Sequence, residues 1–195
     1  VAGASLILPV YNISLALSAM SSMGGGPLIS RLLGTKRIDE ARKVSSFCIY
    51  LSVIIAVVFS AVIGLLLDPL MKLLGADGDT APFARSYAMC VLVLGCVPTV
   101  LSSALANLLR SVGESKKSGF GITMGGIINI GLDPLFMFVL LPDGMEVVGA
   151  GVATAISNFL VCIYFIVVIR GLGSDSVLKL YPVTKLPTRD SMRET

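Results

Sequence analysis

The chain has 195 residues and a formal net charge of +3, with 55% hydrophobic and only 14% charged residues. Its mean hydropathy is +0.91, whereas a soluble domain carries about 25% charged residues, so the composition excludes a soluble fold and implies a membrane protein. With no histidine, His-based metal sites and His general bases are excluded, and the excess charge needs no nucleic-acid partner because the basic residues follow a topological pattern.

Five nearly uncharged runs stand out, roughly Val1–Ser30, Val44–Leu67, Ser86–Leu109, Ser118–Leu141 and Val147–Ile169. Each approaches the twenty-odd residues a helix needs to cross a bilayer. Backbone polar groups cannot stay unpaired in lipid, so each run is expected to be helical. The predicted fold class is all-α, a polytopic transmembrane helical bundle in contact with membrane lipids. Of the 15 Lys and Arg, only Lys72 and Arg85 fall on one side of a five-span arrangement. The others occupy segments 31–43 and 110–117 and the tail from Arg170. The positive-inside rule makes these three segments cytoplasmic and the bundle a multi-pass protein of the cell (plasma) membrane. Five spans ending in the cytoplasm begin outside, yet residues 1–30 carry no charge, no signal-peptide n-region and no initiator Met. The expectation is a fragment, preceded by a further helix and followed by further sequence.

In the first span Ser14, Ser18, Ser22, Gly26 and Ser30 recur every four residues. Such a stripe serves close helix packing, or it forms a polar wall of a central cavity to which Tyr11 and Asn12 would contribute. The run Gly24-Gly25-Gly26-Pro27 is expected to bend or loosen this helix. It lacks the Lys and Ser/Thr of a phosphate-binding loop. Segment 33–43 reads as a solvated turn or helix start. Asp77 and Asp79 flank Gly78 in the outer segment, a turn composition more than a metal site. Pro98 predicts a kink in the third span, and Pro142 a stop after the fourth. Cys48, Cys90, Cys96 and Cys162 lie in apolar spans without CxxC spacing, as small buried hydrophobes do.

The fourth span carries the chemistry. Its one ionisable residue is Asp133, with Asn129 one helical turn before it and Pro134 directly after. A carboxylate at membrane depth costs about 2.5–3.5 kcal/mol, so a functional role is the default. Asn129 and Asp133 share a helix face, and Pro134 leaves the carbonyl of Ile130 without its usual partner. Carboxylate, amide oxygen and freed carbonyl suit a hard cation such as sodium. Alternatively, desolvation favours the neutral acid, and Asp133 carries a proton. Structural glue near the outer end is the remaining reading. Gly121, Gly125, Gly126 and Gly131 would permit bending of this span. In the last span Thr154, Ser157 and Asn158 face one way, either bonding a neighbouring helix or bordering the same cavity as Asp133.

Taken together, GGGPLISRLLGTKRIDEARK, LANLLRSVGESKKS and NIGLDPLFMFVLLPDGMEVVGAGVATAISN resemble the multidrug and toxic compound extrusion (MATE) transporters. The resemblance covers nearly all of residues 1–172. It implies twelve helices in two lobes, of which this chain supplies the second to sixth helices of the N-terminal lobe, with 173–195 a cytoplasmic linker. It further implies efflux of drugs and organic cations driven by a proton or sodium gradient, without other cofactors. By motif, Asp133 and Asn129 match a cation site, with Asn107 and Thr154 as further members. Tyr11, Asn12, Ser157 and Asn158 would border the substrate cavity. The family's first helix, which supplies another acid to the cluster, and its second lobe have no counterpart in this sequence. The alternatives are a lipid-linked oligosaccharide flippase of the same superfamily, which favours a strongly basic cavity where these spans show no Lys or Arg, and a structural bundle without transport. A membrane enzyme would need paired acids or Ser/Lys clusters within the spans, and only one acid is present.

Overall fold

The computed structural model describes residues 2–75, 81–140, 146–172 and 176–178. Among these residues seven α-helices follow in order: α1 (Ala2–Gly34), α2 (Ile38–Leu65), the short α3 (Leu67–Leu73), α4 (Ala81–Ala88), α5 (Cys96–Ser111), α6 (Ser115–Leu135) and α7 (Glu146–Gly171). Wider π-helical turns extend α4 through Met89–Leu94 and α6 through Phe136–Leu140. Among the described residues there is no strand. Among the described residues four helices are long and apolar enough to cross a membrane, and α4 with α5, bent by 46°, counts as a fifth if the pair is one span. Asp77, Asp79 and Pro142 lie outside the described residues.

The third span does bend, but at Gly95 and not at Pro98. The Gly95 amide donates to the Cys90 carbonyl at 2.8 Å, a five-residue step that closes the π turn. A Cβ at this position would lie 2.9 Å from the Val91 carbonyl oxygen, so only glycine fits. Pro98 falls in the first turn of α5, where a missing N–H costs little. Thr99 then covers the Gly95 carbonyl with its hydroxyl at 2.7 Å.

The first span keeps its helix through the Gly24-Gly25-Gly26-Pro27 run, and α1 continues unbroken past Pro9 and Pro27. Its glycines serve proximity. A Cβ at Gly25 would collide with Cys48 Sγ on α2, and one at Gly26 would touch Ser111 on α5. Ser14, Ser18 and Ser22 are buried. Ser18 Oγ donates to the Val100 carbonyl at 2.9 Å and Ser30 Oγ to the Ser111 carbonyl at 2.8 Å. The small-residue stripe therefore packs α1 onto α5, which is the close-packing reading of the sequence.

Three hydrogen bonds gather the basic segments at one end of the bundle. Besides Ser30 to Ser111, Arg42 Nε donates to the Ser176 carbonyl at 3.3 Å, and the Tyr164 hydroxyl to the Lys117 carbonyl at 3.3 Å. An apolar cluster of Ile29, Leu32, Leu105, Leu108, Leu109 and Phe165 sits below them. Val177 and Leu178, in the segment expected to be a linker, are buried in that same cluster. A second cluster of Ile7, Ile63, Leu67, Met71 and Leu92 holds the opposite end, where Arg85 pairs with Asp68 at 2.8 Å.

Helix α6 is attached mainly through α7. Cβ atoms at Gly121 and Gly125 would run into Phe165, Tyr164 and Val161, so these glycines let two backbones approach closely. Of α6 only Ser118 and Gly121 are buried. Ile127, Ile130 and Phe138 are turned outward.

Candidate functional site

Helices α1, α5, α6 and α7 line an open, polar cavity of about 400 Å³. Tyr11 enters it from α1, Asn129 from α6, and Thr154, Ser157 and Asn158 from successive positions of α7. Residues 154, 157 and 158 follow the three- and four-residue spacing of one helix face, which brings them in together. Thr154 and Tyr11 also line a smaller cavity of about 160 Å³ beside Tyr87.

Asp133 stands just beyond this cavity. It is half-buried, and Asn129 Nδ2 donates to its Oδ1 at 3.2 Å. The same amide nitrogen lies 3.5 Å from Thr154 Oγ1, the outer limit of a hydrogen bond. Thr154 in turn donates to the Ala150 carbonyl at 2.9 Å. The two hydrogens of one amide thus bridge the acid to α7. The run from Ser115 to Leu140 is 26 residues long, and Asp133 lies about 10 Å of helix rise from its C-terminal end. The carboxylate is therefore in the half of the span away from the basic segments.

The structure joins Asp133, Asn129 and Thr154 and places Asn107 apart from them. Asn107 lines the same cavity, but roughly 15 Å closer to the basic end than Asn129 by helix rise. Its Nδ2 donates to Ser22 Oγ at 2.9 Å, and its Oδ1 accepts from Arg110 Nη1 at 2.9 Å. Asn12 does not reach the cavity. It is exposed, because one residue further along a helix turns the side chain about 100° from Tyr11. Asn158 donates to Thr99 Oγ1 at 2.8 Å, tying α7 to the hydroxyl that covers the Gly95 break.

Besides Asn107, α5 lines the cavity with Thr99, Ser102, Ser103, Ala106 and Arg110, none of them a site candidate from the sequence. Thr99, Ser103, Asn107 and Arg110 recur every three or four positions, a polar stripe that helical periodicity could have exposed. The sequence places Arg110 in a topology-setting loop. Because α5 continues to Ser111, Arg110 falls in its last turn, exposed and among the residues that line the cavity, so the helices are not free of basic residues. Among the described residues no group of His, Cys, Asp and Glu is arranged to hold a metal ion.

This architecture has close counterparts. A family model described as MatE matches residues 1–135. The chain belongs to the MatE family. Curated relatives of this MatE chain include the multidrug export protein MepA of Staphylococcus saprophyticus, 34% identical over 163 residues, and that of Staphylococcus haemolyticus, 33% identical. Each alignment covers 84% of this chain and 35% of the relative, so the chain spans about a third of the length of those relatives. Among solved structures, an inward-facing multidrug resistance MATE family transporter of the MOP superfamily superposes with a TM-score of 0.88 at 26% identity, covering 99% of this chain and 43% of that one. A MOP superfamily transporter from Pyrococcus furiosus, reported with a binding pocket of reverse polarity, gives 0.85 at 26% identity over 99% of this chain and 42% of that one. These relatives are transporters and not enzymes.

Proposed function

We propose that this MatE chain is part of the N-terminal lobe of a secondary active transporter that exports drugs and organic cations in exchange for a proton or a sodium ion. The observation that carries the reading is the bridge from Asp133 through Asn129 to Thr154 at the edge of a polar cavity. An acid at membrane depth is costly unless it is used, and transporters place coupling groups where helices are irregular and line a cavity. Here the acid lies beside Pro134 and just before a π turn.

The bridge supplies a mechanism for coupling. An ionised Asp133 accepts a hydrogen from Asn129. A proton on that carboxylate removes the charge that holds the amide. A sodium ion requires oxygen ligands, and Asn129 supplies one only if its amide turns over, which withdraws the nitrogen from Thr154. Either ion therefore acts on the link between α6 and α7. The cavity walls mix amides and hydroxyls with small and apolar side chains such as Leu15, Ile122 and Val161, which suits cargo with both apolar and polar parts. In this reading the basic segments face the cytoplasm of the cell membrane. A preceding helix and a second lobe complete the pathway.

The test is efflux of a fluorescent organic cation from everted vesicles holding the complete transporter, with proton and sodium gradients imposed separately. Wild type should export under one gradient and Asp133→Asn under neither, at equal amounts of folded protein. Export by Asp133→Asn equal to wild type would remove the carboxylate from the mechanism.

A further inference from the structure

We infer that Arg110 is a recognition residue for a carboxylate on the transported molecule. The cavity's lining contains no Asp or Glu among the described residues, and its one permanently charged side chain is Arg110. Asp133 does not neutralise it. By helix rise the two lie roughly 25 Å apart, beyond the reach of a direct pair and well past a Debye length. Arg110, an exposed side chain, is in no ion pair with a carboxylate among the described residues and binds a neutral amide, Asn107 Oδ1, at 2.9 Å.

That amide is fixed in turn, because Asn107 donates its nitrogen to the buried Ser22 of α1. The chain Ser22–Asn107–Arg110 therefore orients the guanidinium while leaving most of its donors open. A planar fork held this way matches a carboxylate bidentately, which a lysine cannot do. Arg110 also sits in the last turn of α5, where the helix dipole favours a cation and keeps it in place. The cavity is thus polarised along its length, with positive charge at the basic end and an acid beyond the other. Cargo that carries a carboxylate and an apolar body fits it carboxylate-first at Arg110.

This inference rests on the transport reading above, and the experiment separates the two. Efflux of a fluorescent xanthene dye is measured as its free carboxylate and as its methyl ester, in vesicles holding the complete transporter. Arg110→Gln should raise KM for the free acid about tenfold and leave the ester within twofold, roughly the scatter of such assays. Arg110→Lys should fall between wild type and Arg110→Gln for the acid. Detergent-extracted protein is checked for monodispersity, and efflux of the ester reports that the variant is folded. If both dyes lose efflux equally, or neither changes, or wild type exports the ester alone, the carboxylate subsite is overturned while the transport reading stands. If wild type exports neither dye under any gradient, both readings fall.

Discussion

A single methyl group added at Gly121 should push α6 away from α7 and loosen the Asp133 bridge. The Cβ of Gly121→Ala would lie 2.7 Å from both Phe165 Cζ and Tyr164 Cε1. Carbon atoms in good contact sit about 3.5–4.0 Å apart, so one side must retreat by about 1 Å. Phe165 has no exposed surface and is packed with Leu105 and Leu109, which closes its easy escape. Overpacking of this kind costs about 1–3 kcal/mol. Asn129 lies two turns further along α6, and its 3.5 Å approach to Thr154 has no slack. Gly126→Ala is the control, since a Cβ there meets nothing within 4 Å and removing a helical glycine gains about 0.5–1 kcal/mol. Thermal unfolding of detergent-purified transporter and dye efflux are read together. Gly121→Ala should melt lower and export less, and Gly126→Ala should melt at or above wild type. If the two alanine variants behave alike, the close α6–α7 contact is not what supports the site.

Other substitutions probe other joints. Gly95→Ala places a Cβ 2.9 Å from the Val91 carbonyl oxygen, backbone that cannot swing aside, so the melting temperature should fall and the third span's bend should change, as spin-label distances across it would report. Ser18→Ala removes one interhelical hydrogen bond to Val100 and should cost only about 0.6 kcal/mol. Ser18→Leu should instead prise α1 from α5 and abolish stable expression, so equal yields for the two would contradict tight packing there. Thr154→Val keeps the shape of the side chain and removes the oxygen that Asn129 approaches. Gradient-driven efflux should drop while thermal stability holds, and unchanged efflux would show that the bridge to α7 is dispensable.

What could be read in advance follows from which signals are local. Hydropathy and the Lys/Arg bias depend on neighbouring residues alone, so five spans and the clustering of basic segments at one end were legible. Asn129 and Asp133 share one helix, and an i, i+4 pair is fixed by helix geometry. Thr154 reached them only through the α6–α7 contact, which Gly121 and Gly125 set by their lack of side chains. The glycines of α1 and α6 were read as loosening their helices, because composition cannot distinguish a glycine that bends from one that admits a neighbour. The break at Gly95 had the nearby Pro98 as its visible sign, while its cause is a π turn, which leaves no simple sequence pattern. Asn107 was grouped with the acid by motif, although its depth in the bundle sets it against Ser22 and Arg110.

If Asp133 carries the coupling ion while the cavity carries the cargo, as proposed above, the two functions separate in one reconstituted preparation. Labelled dye exchange across proteoliposomes of the complete transporter needs the cavity but no ion gradient, whereas uphill accumulation needs both. Asp133→Asn should retain exchange and lose all response to a proton or sodium gradient. Accumulation against a gradient by Asp133→Asn at the wild-type level would contradict the account.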